Sequence, residues 1–236
     1  MRLLFRLLQG ASSRRISPRH SLTARVTVAT AVTLAALAVL LFIAGVGVSR
    51  WRGFGFRTDG PELLRLRSVL AVKAGMTVAD VGAGNGELTV VLGNEVGANG
   101  RVYANDLDLA HVRATVAAAG LSNVTFVQSR PDDTTLPEDC CDAVVVRRVY
   151  HHLTEPAAIN ASLFRALRRG GVLAVIDFPP VVSWLWPLNH GVEVRRVTNE
   201  VVASGFQLAQ IIEDWPGRGP LESYCAVFSK QRRASR

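Results

Sequence analysis

The chain has 236 residues, with 27 Lys and Arg against 19 Asp and Glu, a formal charge of +8 and 49% hydrophobic residues. The basic excess is terminal: residues 1–58 hold nine arginines and no acid, the last seven hold Lys230, Arg232, Arg233 and Arg236, and 59–229 carries a net charge of about −5. A basic nucleic-acid groove is thereby excluded, and Cys140, Cys141 and Cys225 form neither a disulfide framework nor a metal-ligand spacing and read as reduced thiols.

Residues 1–25 form a basic, acid-free segment that opens on an amphipathic Leu/Arg pattern, a composition shared with mitochondrial presequences. Val26 to Val48 follows as 23 apolar or small residues without one charge. At about 1.5 Å per residue this run spans a hydrocarbon core of about 30 Å, and Arg25 at one end with Arg50, Trp51 and Arg52 at the other would anchor it at the interfaces. One transmembrane helix is expected here, in a bacterial or mitochondrial inner membrane. Residues 49–60 read as a linker rich in glycine and arginine, 61–230 as one folded domain and 231–236 as a basic tail.

Pro61 opens a helix with Leu63, Leu66 and Leu70 on one face. Strand one is expected at Thr77 to Val81. A helix with Leu88, Val91, Leu92 and Val96 at helical spacing follows and ends at Gly97. Strand two is Arg101 to Asp106, and the next helix runs from about Asp108 to Ala119, with Asp108 as its cap and Gly120 as its stop. Strand three is Val124 to Ser129. Strand four, Asp142 to Arg147, is a valine run of the kind buried on both faces of a parallel sheet. Pro156 to Arg169 is predicted helical up to a Gly-Gly stop, and strand five runs from Val172 to Phe178. A helix over about Val192 to Ser204 and two strand-like runs, Phe206 to Asp214 and Tyr224 to Ser229, complete the domain. Strands alternating with helices, closed by two strands with no helix between, give an α/β, doubly wound, mostly parallel seven-stranded sheet with a terminal antiparallel hairpin.

The chemistry is written between strands one and two. Val78-Ala-Asp-Val-Gly-Ala-Gly-Asn-Gly-Glu-Leu-Thr89 is a glycine-rich strand-to-helix turn, followed about twenty residues on by an acid, Asp106, at a strand end. Gly82, Gly84 and Gly86 let the backbone turn and approach a ligand, and a strand-end carboxylate is placed to accept from ribose hydroxyls. A dinucleotide fold wants a further glycine where Glu87 stands, so that a pyrophosphate can rest on the helix N-terminus. That acid argues against a nicotinamide-dependent reductase and tolerates a ligand without phosphates.

With Asp80 ahead of the loop, the pattern resembles the first motif of the class I S-adenosylmethionine-dependent methyltransferases, over roughly residues 60–230. The resemblance implies that Gly82, Gly84 and Gly86 line the methionine end of S-adenosylmethionine, with Asp80 toward its ammonium group. It further implies that Asp106 holds the ribose, Leu107 packs on the adenine, and an acid after strand three, Asp133 by position, reaches the adenine amino group. Strand four ends in Arg147-Arg-Val-Tyr-His-His-Leu, where the family places ligand-facing groups: Arg147 toward the cofactor, and Tyr150, His151 and His152 toward the acceptor. A neutral histidine there could take the acceptor's proton. Trp184, Leu185, Trp186 and His190 would form an apolar wall or lid over it. The reading is a membrane-anchored methyltransferase for a small or lipid-like acceptor, with no metal and no nucleic acid. A non-catalytic, membrane-anchored scaffold that only binds the cofactor is the other class. Basic residues favour the N-terminus inside, whereas cofactor supply favours a catalytic domain on the cytosolic or matrix side.

Overall fold

The computed structural model describes residues 60–180, 191–216 and 223–231, together with Leu37. The apolar run 26–48 apart from Leu37, the linker apart from Gly60, and the 184–190 segment lie outside the described residues. Among those described, no helix is long and apolar enough to cross a membrane.

Helix α1 (Pro61–Leu70) starts on a proline whose missing N–H costs nothing in a first turn, and it ends where Ala71 turns left-handed at φ 48°. Its Leu63, Leu66 and Leu70 are each at most 2% exposed, and burying each contributes roughly 1.5–3 kcal/mol. β1 (Thr77–Val81) leads through the glycine turn into α2 (Glu87–Val96), β2 (Arg101–Asp106), α3 (Ala110–Ala118), β3 (Val124–Gln128) and β4 (Cys141–Arg147). A 3-10 turn (Tyr150–His152) precedes α4 (Pro156–Ala166), β5 (Leu167–Asp177), α5 (Val194–Ala203), β6 (Gln207–Trp215) and β7 (Ser223–Ser229).

The seven strands lie in the order β3-β2-β1-β4-β5-β7-β6. β1 pairs in parallel with β2 and β4, β2 with β3, and β4 with β5, while β7 is antiparallel to both β5 and β6. Side chains alternate across the sheet. Val78, Val102, Val145 and Ile176 face α1 and α2, whereas Val81, Val144, Val175 and Phe228 face α4 and α5. Both faces of the central strands are covered, whereas β6 is largely exposed, and the parallel strands end with their connecting turns at one edge of the sheet. The expected doubly wound sheet with its antiparallel hairpin is observed.

Two expectations need correction. The helix predicted to reach Arg169 stops at Ala166, because Leu167 is extended and pairs with Cys141 of β4. Gly170 then donates to the Lys230 carbonyl at 2.7 Å and the Lys230 ammonium to the Leu167 carbonyl at 2.6 Å, so sheet contacts override the charge and glycine signals of a helix end. The second concerns the cysteines, which are not alike: the Cys140 and Cys141 sulfurs lie against each other, and Cys225 is a buried free thiol.

Candidate cofactor and acceptor site

The glycine turn lies where β1 leaves the sheet, and each of its three glycines answers a different constraint. All have positive φ, at 75°, 52° and 82° for Gly82, Gly84 and Gly86. A Cβ on Gly82 would lie 2.2 Å from a methyl of Val149, and one on Gly86 would lie 3.0 Å from the Val112 backbone. At Gly84 the only atom within 4 Å of such a Cβ is the Gly82 carbonyl, at 3.9 Å. Gly82 and Gly86 are therefore packed against protein, whereas Gly84 presents bare backbone to open space. That is the surface on which a ligand can lie closest to the chain.

Asp106 closes this surface from β2. One of its oxygens accepts from the Gly84 N–H at 2.7 Å and the other from the Asp108 N–H at 3.3 Å. Leu107 beside it is 56% exposed, an apolar side chain set next to a carboxylate at the mouth of the turn. Asp108 accepts from the Ala110 N–H at 2.9 Å in the turn ahead of α3, whose N-cap position is held by Leu109 and not by Asp108 as expected. Asn105 is buried, and its amide donates to the Val127 and Thr134 carbonyls at 2.9 and 2.7 Å, pinning β2 to the loop after β3.

Two buried acceptors near the turn, Glu87 Oε2 and Asn105 Oδ1, have no hydrogen-bond donor among the described residues. Orphaned acceptors beside bare backbone and a carboxylate suit a ligand that carries donors and positive charge. S-Adenosylmethionine has both, so the residues present fit it.

Asp80 sits beneath the turn. It is 2% exposed and accepts the Thr89 hydroxyl at 2.6 Å. Burial is the main reason its carboxyl is pushed up to about 6, against the lowering effects of the Thr89 bond and the Arg147 charge. Asp133 is committed elsewhere: it accepts from the Thr135 N–H at 2.8 Å and pairs with Arg165 of α4 at 3.0 Å. The structure thus turns its carboxylate to the protein's own guanidinium.

At the end of β4, Arg147 forms a bidentate pair with Glu62 of α1, both contacts at 2.9 Å, and the Trp215 indole donates to the same carboxylate at 3.3 Å. Burial works to raise the Glu62 carboxyl, yet Arg147 and Arg148 hold it below the usual range. Arg147 therefore links α1 to the sheet. Tyr150 is 3% exposed; its hydroxyl donates to Glu200 of α5 at 2.9 Å and accepts from Asn160 of α4 at 2.7 Å. Burial above all pushes its phenol well above the ordinary tyrosine value, so it braces two helices instead of supplying a proton. A hollow of about 610 Å³ runs along α5 past Glu193, Arg196 and Glu200, next to this brace rather than on the glycine turn.

His151 faces the strand next door. Its Nδ1 lies 2.8 and 3.0 Å from the two oxygens of Asp177, the last residue of β5, and its backbone N–H donates to the same carboxylate at 3.1 Å. His152 is exposed, with its ring centroid 4.0 Å from that of His151. The packing of Val149 on Gly82 brings this segment against the cofactor turn. Glu62, Asn160, Glu200 and Asp177 were not singled out from sequence. Asp177 alone left a trace there, as a charge closing an apolar strand. Among the described residues no group of three or more His, Cys, Asp or Glu could hold a metal.

Comparison with known proteins bears on the domain as a whole. A family model described as a methyltransferase domain matches residues 79–175. The ubiquinone/menaquinone biosynthesis C-methyltransferase UbiE of Marinomonas sp. (strain MWYL1) is 33% identical over 111 residues, 45% of this chain and 44% of that protein. Its counterpart in Proteus mirabilis (strain HI4320) is 31% identical over 111 residues, with the same shares of 45% and 44%. The chain therefore spans less than half the length of these curated relatives. Among solved structures, a SAM dependent methyltransferase from Aquifex aeolicus superposes with a TM-score of 0.61 at 25% identity, covering 74% of this chain and 98% of that one. The cyclase SpnF superposes with a TM-score of 0.60 at 16% identity, covering 72% and 80%. That second likeness concerns the fold alone, and it shows that one fold carries more than one chemistry.

Proposed function

We propose that the chain carries a class I S-adenosylmethionine-dependent methyltransferase domain and transfers a methyl group to a small, lipid-like acceptor beside a membrane. The observation that carries the reading is the open backbone face of Gly84 closed by the Asp106 carboxylate. Gly82, Gly84 and Gly86 would hold the methionine end of the cofactor, Asp106 the ribose, Leu107 the adenine face, and Glu87 and Asn105 supply spare acceptors. When bound, S-adenosylmethionine supplies a methyl group on a sulfonium sulfur. The protein's share is mostly alignment of two reactants, with His151 at the acceptor end.

Support for a lipid-like, quinone-type acceptor comes from the names of the UbiE relatives and from the apolar run 26–48, which we read as a single-pass anchor. The domain would then work on the cytosolic or matrix side, where the cofactor is made.

The test is calorimetric titration of the full chain with S-adenosylmethionine and S-adenosylhomocysteine, beside Asp106→Ala, followed by labelled methyl transfer to a short-chain hydroquinone. Micromolar binding that weakens tenfold or more in the variant, a loss of about 1.4 kcal/mol or more, supports the cofactor assignment. Failure of the folded wild type to bind would sink the reading. Binding without transfer to hydroquinone or to water-soluble acceptors would favour a cofactor-binding scaffold.

A further inference from the structure

We propose that Asp177 is a positioning residue that holds His151 as the Nδ1–H tautomer, so that Nε2 becomes the base of the acceptor site. The base role rests on the methyl-transfer reading above, whereas the tautomer assignment stands apart from it.

The argument begins with Asp177. It is 0% exposed, and its carboxylate accepts from two backbone N–H groups, those of His151 at 3.1 Å and Phe178 at 3.0 Å. Among the described residues, His151 is its only ion-pair partner. An ionised carboxylate has acceptor lone pairs and nothing to donate. The nitrogen 2.8 Å from it must therefore carry the proton, because a lone pair there would face a lone pair. In a neutral imidazole this leaves the lone pair on Nε2, since the bond made by one ring nitrogen sets the state of the other.

The ring is held as well as protonated. The His151 side chain is 6% exposed, with the Phe178 ring centroid 4.9 Å away and that of His152 at 4.0 Å. Backbone and ring of His151 are bound to one anion, so the 3-10 turn and the imidazole move as a unit. Two residues before it, Val149 fills the space that a Cβ on Gly82 would need, and this sets the turn against the cofactor loop. Neighbouring candidates for the base do not share these features. The Tyr150 hydroxyl is occupied by Glu200 and Asn160, and His152 is exposed.

In the step assigned to this pair, the acceptor's X–H proton passes to Nε2 and its bonding electrons remain on X as the nucleophilic pair. The imidazolium so formed lies against Asp177, which stabilises it without taking the proton, and it later returns that proton to water.

The test begins without turnover. Full-length protein labelled with 15N histidine is examined by long-range proton–nitrogen correlation, with His151→Gln identifying the signal. The expected result is a proton on Nδ1 in the wild type and a shift of the majority to Nε2–H in Asp177→Asn, whose amide can donate to Nδ1. A wild-type His151 protonated on Nε2, or a tautomer unmoved by Asp177→Asn, overturns the proposal. In the kinetic arm, with a short-chain hydroquinone as methyl acceptor, Asp177→Asn and His151→Gln each lower kcat at least 100-fold. Affinity for S-adenosylmethionine stays unchanged, and the double variant is no slower than the slower single one. Should Asp177→Asn fail to fold, His151→Gln decides this arm. Either variant within threefold of wild type removes the base role. If the wild type leaves hydroquinone unmethylated, the acceptor reading fails, and the tautomer result still decides whether Asp177 positions the ring.

Discussion

The two halves of the sheet's carboxyl edge are built from different materials. At the ends of β1 and β2 the candidate cofactor surface is mostly main chain: the exposed Gly84 backbone and one carboxylate that binds the turn itself. At the ends of β4 and β5 it is side chains holding other side chains, Tyr150 with Asn160 and Glu200, and His151 with Asp177. A backbone cradle needs a short contiguous stretch with the right φ values. A side-chain network needs partners from helices and strands far apart in sequence. The first half is sensitive to any added atom, the second to the loss of a polar one.

The contrast breaks most sharply at Gly82. In Gly82→Ala a methyl group would meet Val149 while the backbone keeps φ 75°. Strain and overpacking together should cost roughly 2–5 kcal/mol, read as a lowered denaturation midpoint. Gly84→Ala, at φ 52° with open space around it, should cost only about 1 kcal/mol of stability and yet weaken S-adenosylmethionine binding more than tenfold. Normal cofactor binding by Gly84→Ala would mean that the bare face is not the ligand's.

Asp80 sharpens the comparison through pH. Its carboxyl is raised by burial to about 6, so the folded state prefers it neutral. The stability this gives is fully present below the ordinary carboxyl value near 4 and is lost as pH rises through about 6. Across that window the wild type should lose about 3 kcal/mol relative to Asp80→Asn, measured by denaturant melts from pH 4 to 7. Parallel curves would place the buried charge elsewhere. A smaller effect belongs to the side-chain half. Tyr150→Phe strips Asn160 and Glu200 of a partner and should cost about 1–2 kcal/mol, with cofactor affinity unchanged; a fall in that affinity would show the two halves to be one network.

Legibility in the sequence follows the same division. β1 and β2 fall on their predicted bounds, and the Gly84 N–H meets the Asp106 carboxylate, because a backbone device is local. Trp215 and Tyr224 of the hairpin are buried. The partners of Arg147, Tyr150 and His151 lie 85, 50 and 26 residues away, and no periodicity links such positions. Asp133 was placed by its loop, but Arg165 decides where its carboxylate points. The end of α4 was misjudged because Arg168, Arg169 and two glycines look like a helix stop, whereas the pairing of Leu167 with Cys141 is visible only in three dimensions.

The position of β7 has a consequence for how the molecule is made. It is the last described strand in the chain, yet it lies inside the sheet between β5 and β6, with all but its final residue buried. During synthesis from the N-terminus, β5 must wait with an unpaired edge until Ser223–Ser229 has emerged. At ribosomal speeds that delay is on the order of a few seconds. For that interval the nascent chain offers a long apolar strand edge to any neighbour. Sheet closure and protection from aggregation therefore arrive together, with the final hairpin.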